Sequence, residues 1–206
     1  MNVIFLSAMR AVKSGEWPAW SPLWMCGHGL AGATVGIVGL GNIGFAVAQR
    51  LRPFAVSRIL YADQKENSDA ADVAAQLVSF DDLLALSDFV IVTCPLSDET
   101  RNLFNVSTFS RMKHTSIFIN VSRGALVNQP DLYSALKSGV IAAAGLDVTT
   151  PEPLPVSDPL LTLDNCVILP HIATATIEVR TTMSLLTARN ILSALSGKQM
   201  PCQVHV

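Results

Sequence analysis

The sequence predicts an α/β protein built on a doubly wound parallel sheet with helices on both faces. Three observations carry that reading. From Thr34 onward, short apolar runs of strand type alternate with helical segments; several of the runs are apolar throughout; and the first breaks into a glycine-rich turn that reopens as a helix. Regular alternation argues for β-α-β units, and uninterrupted apolar strands belong to sheets buried on both faces.

The turn comes first because the other elements are placed relative to it. Thr34-Val35-Gly36-Ile37-Val38 reads as a strand, and Gly39, Gly41 and Gly44 fall on the spacing G-x-G-x-x-G. In a Rossmann-type fold the first glycine permits the tight turn, the second lets backbone approach a pyrophosphate, and the third lets the helix pack on the strand. The helix from about Ile43 to Arg52 would turn free N–H groups, those of Asn42 and Ile43 among them, toward the phosphates. The same spacing also occurs in turns kept only for packing.

A second strand, Arg58 to Ala62, leads into Asp63, 19 residues past Gly44. A carboxylate there hydrogen-bonds the adenosine ribose and repels a 2′-phosphate, which favours NAD(H) over NADP(H). The other reading is a solvated loop acid, since Gln64, Lys65 and Glu66 follow at once. A third strand is expected at Leu77–Ser79, a helix over residues 81–87, and a fourth strand over Phe89–Cys94, closed by Pro95. Carboxyl ends of such strands line the ligand crevice, which makes Cys94 and Pro95 cofactor neighbours.

Ser116 to Val121 reads as the next strand and delivers Ser122-Arg123-Gly124. A helix over residues 130–137 returns to a strand over 141–148 that carries Asp147, followed by the proline-rich loop with Glu152. A last strand, Cys166 to Pro170, delivers His171, and a helix over 177–195 stops at Gly197. Residues 1–33 read as a segment without a domain of its own. All three tryptophans, Trp17, Trp20 and Trp24, sit there between prolines, in a loop that either covers the core or forms an interface.

The bulk numbers exclude several classes of partner. A net charge of −2 supplies no electrostatic reason to expect nucleic acid or an anionic membrane. No stretch reaches the ~18 apolar residues of a membrane span, and the N-terminal apolar run has no basic region before it. The four cysteines are widely separated, with no C-x-x-C pair and no histidine spacing suited to zinc, so neither a disulfide framework nor a metal site is expected. The expectation is a cytoplasmic protein with reduced thiols.

Arg123, Glu152 and His171 all follow strand ends. Arginine grips a carboxylate bidentately, histidine exchanges protons near neutrality, and a carboxylate beside it favours its charged form. Taken singly, each also reads blandly: a surface arginine, a solvated glutamate, a structural histidine. His28, His114 and His205 lack a strand-end context.

Four motifs in order, Gly39-Leu40-Gly41-Asn42-Ile43-Gly44, Asn120-Val121-Ser122-Arg123-Gly124, Gly145-Leu146-Asp147-Val148 through Glu152-Pro153, and Leu169-Pro170-His171-Ile172, resemble the D-isomer-specific 2-hydroxyacid dehydrogenases. The resemblance covers nearly everything after Gly15. It implies reduction of a small 2-oxo acid, such as hydroxypyruvate or glyoxylate, to the D-2-hydroxy acid. Arg123 would bind the substrate's carboxylate and carbonyl, His171 would be the acid–base group, and Glu152 would pair with it. Asp147 would contact the nicotinamide carboxamide, and Val121, Arg123 and His171 would also border the cofactor. NADP(H) stays possible by resemblance.

Three segments are therefore expected: residues 1–33 with a dimerisation-type tryptophan loop, in which Trp17 and Trp20 are interface candidates of a homodimer; a cofactor domain over 34–176; and a C-terminal helix and tail over 177–206. The resemblance implies that family members carry a substrate-binding domain, little of which is expected within these residues. The alternative function is a catalytically impaired dinucleotide-binding and dimerisation module.

Overall fold

A computed structural model describes residues 4–203. His205 and the start of the N-terminal apolar run, Met1 to Val3, lie outside them. The chain divides into two compact units, Met1–Pro170 and His171–Val206.

The first unit opens with helix α1 (Ile4–Ser14), where only an apolar segment was expected. It continues with β1 (Thr34–Val38), α2 (Asn42–Leu51), β2 (Arg58–Ala62), β3 (Ala75–Leu77), α3 (Phe80–Leu86) and β4 (Phe89–Val92). Then come α4 (Val106–Phe109), β5 (Ile117–Asn120), α5 (Gln129–Lys137), β6 (Ala143–Leu146) and β7 (Cys166–Ile168). All seven strands are parallel, in the order β3-β2-β1-β4-β5-β6-β7. The expected doubly wound α/β class is the observed one.

Side chains of alternate strand residues enter two cores, as the period of two demands. Val35 and Ile37 of β1 and Phe89 and Ile91 of β4 pack with Ala48 and Leu51 of α2. Val38, Val90 and Val92 join Leu83 and Leu84 of α3, Phe109 of α4 and Leu132 and Leu136 of α5 on the other face. Every residue of β1 and β4 is buried, which is why these strands are apolar without alternation. Phe104 and Phe118, with ring centroids 4.8 Å apart, anchor the second core.

Two departures from expectation have identifiable reasons. The third strand runs over Ala75–Leu77, not Leu77–Ser79, because Ser79 is the N-cap of α3: its Oγ accepts the Asp82 N–H at 3.0 Å. The short α4 has no counterpart among the expected elements. It rests on a capping box in which Asn105 accepts the Thr108 N–H and Thr108 Oγ1 accepts the Asn105 N–H at 2.8 Å.

Asp88 ties the amino ends of three strands. Its Oδ2 accepts the Thr34 N–H and its Oδ1 the Lys113 ammonium, both at 2.8 Å, and its carbonyl accepts the Ile117 N–H at 2.9 Å. Burial works against ionisation of this carboxyl, but the bonds from Lys113 and Thr34 prevail and hold its pKa below the ordinary value.

The second unit is mainly α6 (Ile177–Leu195), capped by Thr176, whose Oγ1 accepts the Val179 N–H at 3.2 Å. No residue of α6 is buried. Its tail returns on the helix through Asn190, which donates to the Cys202 carbonyl at 2.7 Å and accepts the Cys202 N–H at 3.0 Å. Among the described residues, no helix is long and apolar enough to cross a membrane, and no cluster of metal-ligating side chains occurs.

Candidate dinucleotide site

Strand order reverses between β1 and β4, since the chain moves from β1 outward to β2 and β3 and then returns to the other side of β1. Ligands of open α/β sheets bind outside the carboxyl ends of strands at such a switch point. The glycine turn leaves β1 there. Gly39 has φ +92°, and a Cβ on it would lie 2.7 Å from the Cα of Cys94, so both backbone conformation and packing require glycine. Gly41 differs: a Cβ added there would meet nothing within 4 Å.

Neighbouring strands stitch the turn in place. The Gly39 N–H donates to the Ala62 carbonyl of β2 at 2.9 Å, and Thr93 Oγ1, just past β4, donates to the Gly39 carbonyl at 2.6 Å. Asp63 Oδ2 accepts the Leu40 N–H at 2.8 Å, while its Oδ1 accepts the Gln64 N–H at 2.7 Å. Helix α2 starts at Asn42 with Gly41 as its N-cap and no side-chain cap bond. Its first-turn N–H groups lack intrahelical acceptors, as at every helix start. Gly41, Asn42 and Ile43 are all exposed.

Beside the turn lies a cleft of about 680 Å³, lined by Val38, Asp63, Phe80, Pro95, Glu99 and Leu103 among others. Cys94 also lines it. Burial, and to a lesser degree the charge of Asp63, push its thiol pKa up to about 11, so Cys94 is a neutral packing group there.

Arg123 and Glu152 occupy loops that the fold presses together. A Cβ on Gly124 would lie 2.0 Å from the Thr149 carbonyl oxygen, so the loop after β5 approaches the loop after β6 at backbone distance. Glu152 Oε1 accepts the Thr149 N–H at 3.0 Å. Asn120, the last residue of β5, accepts the Ser122 N–H at 3.0 Å and donates to the Arg123 carbonyl at 2.9 Å, which shapes the loop that carries Val121 and Arg123. The exposed Arg123 guanidinium donates to the Ser122 carbonyl at 2.7 Å. Ser122 Oγ in turn donates to the Cys94 carbonyl and so connects this loop to the cleft wall. Asp147 is buried, and its N–H donates to the Asn120 carbonyl at 3.0 Å.

The first unit therefore brings Asp63, Cys94, Pro95, Arg123, Asp147 and Glu152 to the carboxyl edge of one sheet. His171 opens the second unit; it is exposed, with φ +53°. Trp17 and Trp20 are 66% and 86% exposed, so the tryptophan loop does not cover the core.

Sequence reasoning missed two residues that shape this edge. Asn67 donates through Nδ2 to the Leu40 carbonyl at 2.6 Å. Gln129 accepts the Thr150 N–H at 2.6 Å and donates to Asp158 at 3.3 Å, bracing the loop of Glu152. Neither belongs to a spaced motif, and a polar amide in a loop or at a helix start carries no signal of its long-range partner.

The fold and the turn define a dinucleotide-binding α/β protein. The chain belongs to the D-isomer specific 2-hydroxyacid dehydrogenases: the model of that family's NAD binding domain matches residues 4–173. Over 200 residues it is 58% identical to the glyoxylate reductase/hydroxypyruvate reductase of Mus musculus and 56% to that of Homo sapiens, covering 97% of this chain and 61% of each relative. A glyoxylate reductase from Paecilomyes thermophila superposes with a TM-score of 0.89 at 35% identity, over 98% of this chain and 60% of the other. The chain thus spans about three fifths of the relatives it matches.

Proposed function

We propose that the protein binds NAD(H) at the carboxyl edge of β1 and β4 and reduces a small 2-oxo acid, hydroxypyruvate or glyoxylate, to its D-2-hydroxy acid. The observation that carries the reading is Gly41. Gly39 is required by the chain's own packing, whereas the missing Cβ of Gly41 leaves open space that no protein atom claims, beside unsatisfied helix-start N–H groups suited to a pyrophosphate. The names of the mammalian relatives support the substrate class.

NAD(H) is the cofactor the residues favour. Asp63 and Glu99 both line the cleft, and their negative charges oppose the 2′-phosphate of NADP(H). The bound cofactor supplies the hydride for C2 of the substrate. Arg123 holds the substrate's carboxylate and polarises its carbonyl, and Asp147 orients the carboxamide of the nicotinamide. His171 gives its proton to the C2 oxygen, and Glu152 is its partner by the family resemblance. Val121, Cys94 and Pro95 border the cofactor, the last two from the wall of the cleft.

Exposure of Trp17 and Trp20 favours a homodimer in which that loop is the interface. It also favours a second reading, a dinucleotide-binding and dimerisation module without turnover. Cys26, Cys94, Cys166 and Cys202 are free thiols, which supports a cytoplasmic setting. Steady-state assay with hydroxypyruvate and NADH separates the readings: turnover abolished by His171→Ala supports the reductase, and turnover no greater than that of His171→Ala rejects it.

A further inference from the structure

We infer that Asn67 is a positioning residue for the cofactor's pyrophosphate, acting through the peptide that precedes Gly41. Its two amide atoms are assigned by chemistry alone: Nδ2 faces the Leu40 carbonyl at 2.6 Å, which only accepts, and Oδ1 faces the Asp69 N–H at 2.8 Å, which only donates. The residue is itself held, because its N–H donates to the hydroxyl of Tyr61 at 3.1 Å and its carbonyl accepts the Ala70 N–H at 3.1 Å. Tyr61 lies in β2 and is fully buried, so this support is anchored in the sheet.

The consequence follows from peptide geometry. In a trans peptide the C=O and N–H point in opposite directions. Holding the Leu40 carbonyl on the Asn67 side therefore aims the N–H of Gly41 the other way, and Gly41 is the exposed glycine whose Cβ position is empty. Asp63 fixes the preceding peptide through the Leu40 N–H at 2.8 Å. Two consecutive peptides of the turn are thus clamped by side chains from beyond β2, so their donors are oriented before a ligand arrives and less ordering free energy is lost on binding.

The inference rests on the reading of the turn as a dinucleotide site, and the test separates the two. Binding of ADP-ribose, which carries the pyrophosphate, and of adenosine, which does not, is measured on the full chain by titration and ligand-observed NMR for wild type, Asn67→Ala and Tyr61→Phe. The expected result is an ADP-ribose affinity about fivefold to tenfold weaker in Asn67→Ala, a smaller loss in Tyr61→Phe, and unchanged adenosine binding, which also reports an intact fold. Equal ADP-ribose affinity in wild type and Asn67→Ala overturns the positioning role and leaves the site standing. Equal loss of both ligands overturns it too, since a merely structural residue would behave so. No ADP-ribose binding by wild type overturns the site itself.

Discussion

Asp63 accepts the Leu40 N–H at 2.8 Å, so the carboxylate that ends the second strand braces the glycine turn that ends the first. The same side chain lines the cleft beside the turn. Asp63→Ala is expected to weaken NADH binding by about tenfold, through loss of the brace and of the proposed ribose contact together, and to narrow the gap between NADH and NADPH. Titration of both cofactors measures it; NADPH binding tighter than NADH in the wild type and unchanged by the substitution contradicts the role.

Gly124→Ala puts a methyl group 2.0 Å from the Thr149 carbonyl oxygen, a backbone atom that moves only with its loop. A stability loss of about 1–3 kcal/mol is expected, visible as a lower Tm. Because the two loops forced apart carry Arg123 and Glu152, turnover with hydroxypyruvate should fall further than NADH affinity. An unchanged Tm would show that the two loops separate freely.

Asp88 supplies a stability term with a defined pH range. Its folded pKa is lowered, so the contribution is complete above the ordinary carboxylate value of about 3.9 and is lost as pH falls through the lower folded value. Asp88→Ala leaves the buried Thr34 N–H without this acceptor, at about 1–3 kcal/mol. The Lys113 pair adds little, since both side chains are 36% exposed and screened. Melting curves of wild type and variant should differ at pH 7 and draw together as pH falls below the ordinary carboxylate range; a constant difference would assign the effect to packing.

Cys94 acts at the other end of the pH scale. Burial raises its pKa to about 11, so its stabilising contribution is present below the unfolded thiol value of about 8.5 and declines as pH rises toward 11. The folded protein should react with iodoacetamide at exposed Cys26 and Cys202 well before Cys94 at pH 8, and mass mapping of the labelled peptides reads the order. Early labelling of Cys94 would mean that the cleft wall opens.

Legibility in the sequence tracked how local each signal is. Strands β1 and β4 declare themselves because burial on both faces admits only apolar side chains, and the final helix is bounded by Thr176 and Gly197. Helix α4 is one turn held by Asn105 and Thr108, too short for any periodicity to show. Ser79 reads equally as a strand end or a cap until its bond to Asp82 is seen. In the site, Gly39 and Gly41 look alike in a motif, yet one answers to Cys94 and the other to empty space. Asn67 and Gln129 work through partners 27 and 21 residues away, which no local pattern reports.

Gly41 offers the most direct measurement. A Cβ added there meets nothing within 4 Å beyond its chain neighbours, so Gly41→Val is expected to fold as wild type does while blocking the approach of a pyrophosphate. Isothermal titration of NADH into the full chain is predicted to show one saturable site in the wild type and none in Gly41→Val at equal Tm. Equal NADH affinity in the two proteins would contradict the assignment of this turn as the cofactor site.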